Sequence, residues 1–363
     1  MKIACFGDRH VSLRSPRFEH ALEVWDAAIT DAIEQGASVF VGLGDVCEGD
    51  PNGEERMALG MRYKRMAERG SVFEVTGNHE SRDALRWLEF LGVVVAWDEF
   101  VTVPLRGATL LLAPYARRGH APYVGAETHK DSAQLLAETI AETVSGTREP
   151  VIVAGHWTPE GARLNDSDYE VHVGHEMVVP LAALAPASLV VTGHIHRRQA
   201  IGDNVVIAGS LYRCSFAEAA ERKSYVLITV GDGFAPSWEH RPLPAREMVV
   251  RKLTWPITAP MDTYLEALVE SVGGDRPEVK VTVEIPEDQV ATFEPSVFDG
   301  IRDRASHFVL EKIVVPTERT RTPAIAQSTR LEDQLAAWAE ATEQDLTPAR
   351  AERVQAKVAE VQG

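Results

Sequence analysis

"SLVVTGHIH", residues 188–196, is an apolar run that ends, past a glycine, in two histidines one residue apart. The Val- and Leu-rich "SLVVT" suits a buried strand, and Gly193 lets the chain turn at its C-terminal end. His194 and His196 then sit on a strand-end loop. On extended backbone, side chains two apart point the same way, so these imidazoles serve one metal ion, or one each of a closely spaced pair. Two ordinary loop histidines would read the same in this stretch alone. The rest of the chain decides.

Working outward, strand-like and helical runs alternate. "KIACF" (2–6) precedes an amphipathic stretch with Leu22, Trp25, Ile29 and Ile33 at helical spacing, closed by Gly36. Then come "SVFVGLGD" (38–45), a polar helical segment around 54–69, and "SVFEVTGN" (71–78). "TLLLAPY" (109–115), "PVIVAGH" (150–156), "NVVIAGS" (204–210) and "SYVLITV" (224–230) complete the set. Short continuous apolar strands between helices predict an α/β layered core, with later strands close enough to pair as hairpins.

These strands finish alike. The first ends in "GDRH" (Asp8, His10), the second in "GLGD" (Asp45), the third in "TGNHE" (Asn78, His79) and another in "AGH" (His156). Polar residues after such glycines project into the crevice at the carboxyl ends of the strands, where open α/β sheets bind ligands. Read singly, Asp8 or Asp45 is a helix cap or turn residue, Asn78 a turn residue, and His79 or His156 a satisfied loop histidine. Taken in order, all at strand ends, they read as one site. Oxygen from Asp and Asn, nitrogen from His and no sulfur suit manganese, iron or zinc in a catalytic setting. Seven candidate ligands are too many for one ion and about right for two that share a carboxylate. Two ions roughly 3.5–4 Å apart clamp a phosphate, lower the pKa of a water and stabilise both oxygens of an in-line displacement. Phosphoester hydrolysis is the expected chemistry.

Composition sets the bounds. A chain of 363 residues predicts one large domain plus a smaller one, and 45% hydrophobic with 25% charged residues is the balance of a soluble globular protein. Cys5, Cys47 and Cys214 are scattered with no CxxC pair, which argues against a disulfide framework or thiolate zinc site and fits a reducing cytoplasm. "MKIACFGD" runs straight into a strand pattern, so neither export nor a membrane anchor is expected. A net charge of -17 argues against the whole surface gripping nucleic acid. It leaves open a nucleic acid held by metal ions, a local basic patch or a partner.

The ordered pattern D-x-H, G-D, G-N-H-[DE], G-H, G-H-x-H over residues 7–196 resembles the calcineurin-like metallophosphoesterase superfamily. That resemblance implies a four-layer α/β fold, a β-sandwich flanked by helices, with a small α/β capping domain and a helical C-terminal tail. It implies that Asp8, His10, Asp45 and His196 hold one divalent ion and Asp45, Asn78, His156 and His194 the other, with Asp45 bridging. His79 would be catalytic rather than a ligand, stabilising the transition state or protonating the leaving oxygen. The superfamily spans protein phosphatases, nucleotide phosphodiesterases, lipid-precursor pyrophosphatases and DNA nucleases, so the metal pattern leaves the substrate open.

"DNVVIAGSLYRCSFAEAAERKSYVLITV" (203–230) is similar to the segment after the last metal histidines in SbcD-type double-strand-break repair nucleases, through Gly209, Ser210, Arg213, Phe216, Glu218 and Lys223. "HVGHEMVVPLAAL" (172–184) stands where those nucleases carry a short polar segment. The resemblance therefore implies a manganese-dependent DNA exonuclease or endonuclease, the catalytic subunit of an SbcCD-type complex. Many of these nucleases have a DNA-contacting histidine three residues after the bridging aspartate, where this chain has Glu48. Arg9 is either a phosphate contact or a solvated charge, and Glu80 is expected to support its loop through hydrogen bonds.

Three domains are expected: a nuclease domain over 1–240, a capping domain over 246–321 and a helical tail over 326–363. Pro242, Pro244, Pro256 and Pro260 mark the first boundary. "EMVVRKL", a helix around 262–272, "EVKVTVEI", a helix around 295–305 and "FVLEKIVV" make the smaller unit, which by resemblance seats duplex DNA and otherwise only shields the sheet. After a linker "TPAIAQST" (322–329), Thr329 and Glu332 form a capping-box pattern before Leu331, Leu335 and Trp338. Thr347 and Pro348 start a second helix with Val354, Val358 and Val361 on one face. These helices either fold back or dock on a partner; a comparable tail in the repair nucleases grips the coiled coil of an SMC-like (SbcC-type) ATPase. A homodimer through helices near the third strand end also follows from the resemblance. The competing readings are a phosphodiesterase or phosphatase for a small or protein substrate, and a scaffold subunit for the ATPase.

Overall fold

Strands buried on both faces need a layer on each side, and this chain supplies them. A computed structural model describes residues 1–363 other than 82, 117–121, 124, 165–176, 232–234, 258–275, 317–329, 342–346 and 363. The segment 172–176, the expected helix around 262–272, the linker 322–329 with Thr329, and the side chains of Val358 and Val361 lie outside the described residues.

The strands are β1 (Lys2–Phe6), β2 (Val39–Leu43), β3 (Ser71–Val75), β4 (Val94–Ala96), β5 (Val101–Leu105), β6 (Ala108–Ala113) and β7 (Val151–His156). They continue with β8 (Thr158–Pro159), β9 (Val178–Val179), β10 (Leu189–Gly193), β11 (Gln199–Ile201), β12 (Val205–Ile207), β13 (Ser224–Thr229) and β14 (Ser237–Pro242). One six-stranded sheet has the order β14-β13-β1-β2-β3-β4, the other β11-β12-β10-β7-β6-β5. β1 to β4 run parallel, as do β6, β7, β10 and β12, while antiparallel pairs finish every edge except that at β4.

Alternate residues of each strand serve different layers. Ile3, Cys5, Val39, Val41 and Phe73 of the first sheet meet Leu110, Leu112, Ile152, Leu189 and Val191 of the second in one buried cluster. The neighbours Ala4, Phe6, Phe40 and Val72 face α1 (Phe18–Glu34) and α2 (Gly53–Ala67) through Leu22, Trp25, Ile29, Leu59 and Tyr63. On the far side Leu111, Val153 and Val190 pack against Leu136 and Ile140 of α3 (His129–Ser145). The result is the expected mixed α/β architecture, layered helix, sheet, sheet, helix.

Beyond the sandwich, β15 (Met248–Thr254), β16 (Glu278–Pro286) and β17 (His307–Val315) form a three-stranded sheet with β16 central. Val279, Val281, Val283 and Ile285 alternate inward along β16. By contact density one unit comprises Met1–Arg251, Ala259–Val281 and Ser296–Leu310, and the other Lys252–Thr258, Thr282–Pro295 and Glu311–Gly363. The second holds the tail helices Leu331–Ala341 and Pro348–Gln362, which contact each other. Among the described residues no helix is long and apolar enough to cross a membrane.

Candidate metal centre

The carboxyl ends of β1, β2 and β3 in one sheet and of β7 and β10 in the other bring five loops together. Their backbone is unusual. His10, Asp45 and His194 have φ of 39°, 48° and 80°, and they are the positive-φ residues other than glycine among those described. Such left-handed conformations are costly for residues with a Cβ and persist where the surroundings enforce them. The amides of Arg9 and His10 donate to the Asp45 carbonyl at 2.8 and 3.0 Å. The His194 amide donates to Asp8 Oδ1 at 2.8 Å, and the His79 amide to Asp45 Oδ1 at 3.0 Å. Gly44, at φ 89°, is required on two counts, since a Cβ there would also overlap the His156 ring.

All seven ligand candidates meet here. Ligand atoms of Asp8, His10 and His196 lie within 4.8 Å of one another, as do those of Asp45, His156 and His194. His10 Nε2 is 2.9 Å from His196 Nε2. In the other lobe Asn78 Oδ1 is 2.9 Å from His156 Nε2 and 3.0 Å from His194 Nδ1, and Asp45 Oδ2 is 3.2 Å from His156 Nε2. Asp45 also approaches His10 and His79, at 3.8 Å from each Nε2, and so stands between the lobes.

Three imidazoles share one arrangement in which an acceptor lies beside Nδ1 and Nε2 is turned inward, though at His10 the approach is an ion-pair contact without hydrogen-bond geometry. His156 Nδ1 lies 2.6 Å from the Leu43 carbonyl, His10 Nδ1 2.7 Å from Glu48 Oε1, and His196 Nδ1 2.9 Å from Glu218 Oε1. The donor set fits divalent cations. Inward-facing lone pairs and carboxylates crowd a buried space, and Asp8 Oδ2 is buried there without a hydrogen-bond partner.

The electrostatics follow from this crowding. Burial would lift the Asp45 carboxyl, but His156, with His10 and His79, holds it well below the usual range. Burial opposes the His156 imidazolium, yet Asp45 and Asp8 raise it to about 9. Glu48 bonds His79 Nδ1 at 2.7 Å, which lifts that imidazole to about 9. One half-exposed carboxylate thus holds both His10 and His79. Glu80 is fully buried and supports the loops as expected, accepting from the amides of Val46, of Cys47 at 3.1 Å and of Gly77 at 2.9 Å. Burial and then Asp45 push its carboxyl up to about 7.

Arg9 requires a correction. It is neither solvated nor a phosphate contact, being only 1% exposed and engaged by buried partners. Its guanidinium forks onto Glu74 at 2.9 and 2.7 Å, reaches the Gly44 carbonyl at 3.2 Å and lies 5.2 Å over the Trp25 ring. Tyr63 completes the network with a 2.6 Å bond to Glu74. The signal available in the sequence was Glu74 itself, an acid inside the apolar run "SVFEV", which must have a buried partner. Tyr115 was also missed; its ring faces those of His194 and His156 at 5.7 and 6.0 Å.

A family model described as calcineurin-like phosphoesterase matches residues 1–198. Among solved structures, a dimetal phosphatase from Danio rerio is similar at 11% identity and a TM-score of 0.43, over 67% of this chain and 96% of that one. The protein TT1561 of Thermus thermophilus is similar at 15% identity and a TM-score of 0.40, over 66% and 98%. The matched family carries out phosphoester hydrolysis at a dinuclear divalent metal centre, in keeping with the ligand clusters here. With the matched span containing every residue of those two lobes, the chain belongs to the calcineurin-like phosphoesterase family.

Proposed function

We propose that this chain is a manganese-dependent DNA nuclease of the SbcD kind. In this reading Asp8, His10, Asp45 and His196 hold one ion, and Asp45, Asn78, His156 and His194 the second. The observation that carries it is the meeting of seven oxygen and nitrogen ligands in two lobes that share Asp45. Bound there, two divalent ions would clamp a phosphate and acidify a water. The sulfur-free donor set suits manganese. His79, its Nδ1 held by Glu48, would donate a proton to the leaving oxygen.

Two features favour DNA over a small ester. One is the similarity of residues 203–230 to the SbcD-type segment. The other is a group of arginines near His196: Arg197 and Arg198 follow it, Arg163 is tied to Gln199 at 2.8 Å, and Arg222 is close enough to depress Arg198 after burial does so. None of the four has an acidic partner among the described residues, in a chain where acids outnumber Lys and Arg by 54 to 37. Unpaired guanidiniums suit a phosphate backbone.

The partner readings rest on exposed apolar side chains. Met57 and Met61 on α2 and the nearby Phe90 are 69%, 67% and 94% exposed, which suits a homodimer contact. Trp338 and Val354 on the tail helices are partly exposed and would suit the coiled coil of an SMC-like ATPase.

The test is incubation of the protein and its His79→Ala variant with linear duplex DNA and with bis-p-nitrophenyl phosphate, in manganese and in EDTA. Manganese-dependent DNA degradation that the variant loses is the expected result. Hydrolysis of the small diester beside intact DNA would overturn the nuclease reading and keep the phosphoesterase.

A further inference from the structure

His196 has two ring nitrogens with different surroundings. Nε2 faces His10 at 2.9 Å, on the side of the ligand cluster, whereas Nδ1 lies 2.9 Å from Glu218 Oε1. Glu218 is completely buried, and its Oε2 lies 2.6 Å from Lys223 Nζ and accepts from the Cys214 amide at 3.1 Å. Lys223, 2% exposed, donates its hydrogen bonds to Glu221 Oε2 at 2.8 Å, Ser210 Oγ at 2.8 Å and the His196 carbonyl at 3.2 Å, with Glu218 beside it as an ion-pair partner. The ammonium therefore holds both the carboxylate that meets the imidazole and the backbone that carries it.

An ionised carboxylate only accepts hydrogen bonds, so an imidazole against it keeps its proton on the facing nitrogen. With Nδ1 protonated, the lone pair of His196 is on Nε2, where a cation of the proposed centre would meet it. Lys223 supplies the counter-charge that lets a carboxylate remain ionised without contact with water. His156 has its Nδ1 held by the Leu43 carbonyl, and His10 Nδ1 lies beside Glu48 without hydrogen-bond geometry, so the three imidazoles have three different surroundings at Nδ1. That of His196 is the most deeply buried of the charged ones, Glu48 being 45% exposed.

We propose that Glu218 and Lys223 are positioning residues that fix the tautomer and orientation of His196, and so set the affinity of the metal lobe formed by Asp8, His10, Asp45 and His196. This rests on the dinuclear reading above. Supports of this kind are worth roughly 10–100-fold in metal affinity when lost, and the lobe formed by Asp45, Asn78, His156 and His194 should be spared.

The test uses the full chain and the near-isosteric, uncharged double variant Glu218→Gln/Lys223→Met, which removes both members of the buried pair together. Long-range proton–nitrogen spectra of histidine-labelled, metal-free protein read the His196 tautomer, and manganese titration followed by electron paramagnetic resonance reads each binding step. Wild type is expected to carry the His196 proton on Nδ1 and to bind two ions. The folded double variant should lose that single tautomer, because a glutamine amide both donates and accepts, and bind one of the two ions roughly 10–100-fold more weakly. An Nε2-protonated His196 in wild type overturns the proposal even if the variant does not fold. So does a folded variant with an unchanged tautomer or wild-type affinity for both ions. Wild-type protein that binds no manganese would instead overturn the metal reading on which the proposal depends.

Discussion

Left-handed backbone at His10, Asp45 and His194 costs about 1–3 kcal/mol per residue, so other contacts must enforce it. Beneath the loops, the buried Arg9–Glu74 pair does part of this, tying the residue between two ligands to the middle of β3 and to the Gly44 carbonyl. Arg9→Ala strands a buried carboxylate and is expected to destabilise the fold by about 3–5 kcal/mol in urea unfolding. An Arg9→Met/Glu74→Leu double variant should recover much of that loss; equal destabilisation by both would contradict the network account. The convergence of the candidate ligands was legible because each follows a strand and a glycine, a pattern confined to a few neighbouring residues. Arg9 was not, since its partner is 65 positions away and nothing local separates a buried from a solvated arginine.

At the scale of elements, periodicity revealed α1, whose Leu22, Trp25 and Ile29 face the first sheet, but not α3. In α3 the apolar stripe is diluted by Thr139 and Thr143, whose hydroxyls bond back to the carbonyls of Leu135 and Thr139 at 2.9 and 2.8 Å. Its one clear sequence signal was the box formed by Thr128 and Asp131. The edge strand β14, "SWEHRP", is half-exposed and polar and lacks the apolar run that marks central strands.

β14 carries a pH-sensitive element. His240 is lowered from 6.5 to about 4 by burial and by Arg198, and its Nε2 is buried without a hydrogen-bond partner. Between those values the unfolded chain takes up a proton that the folded chain refuses. The stability present above pH 6.5 is therefore lost progressively as pH falls toward about 4. In thermal melts from about pH 7 to about pH 4, His240→Gln should lose stability less steeply than wild type; parallel curves would contradict this.

For the whole molecule, a charge of -17 repels polyanions, so the proposed DNA binding would rely on the proposed metal pair and local cations. Replacing Arg163, Arg197, Arg198 and Arg222 with Gln should flatten the salt dependence of duplex binding in metal-free buffer, by roughly 0.9 log units per lost phosphate contact. An unchanged slope would remove these arginines from the DNA path. The sandwich was legible at this scale because five strand ends shared one chemistry. The division into units was not, since it follows contacts between segments far apart in sequence.

The central claim is a dinuclear phosphoesterase centre joined at Asp45. Its most direct test is the number of manganese ions bound per chain, by equilibrium dialysis, together with turnover of bis-p-nitrophenyl phosphate, in wild type and Asp45→Asn. The account predicts two ions and manganese-dependent turnover in wild type. In the variant it predicts weakened binding at both lobes and a turnover at least about a hundredfold lower, about 2.7 kcal/mol in barrier. One ion or none in wild type, or undiminished turnover in Asp45→Asn, would contradict it.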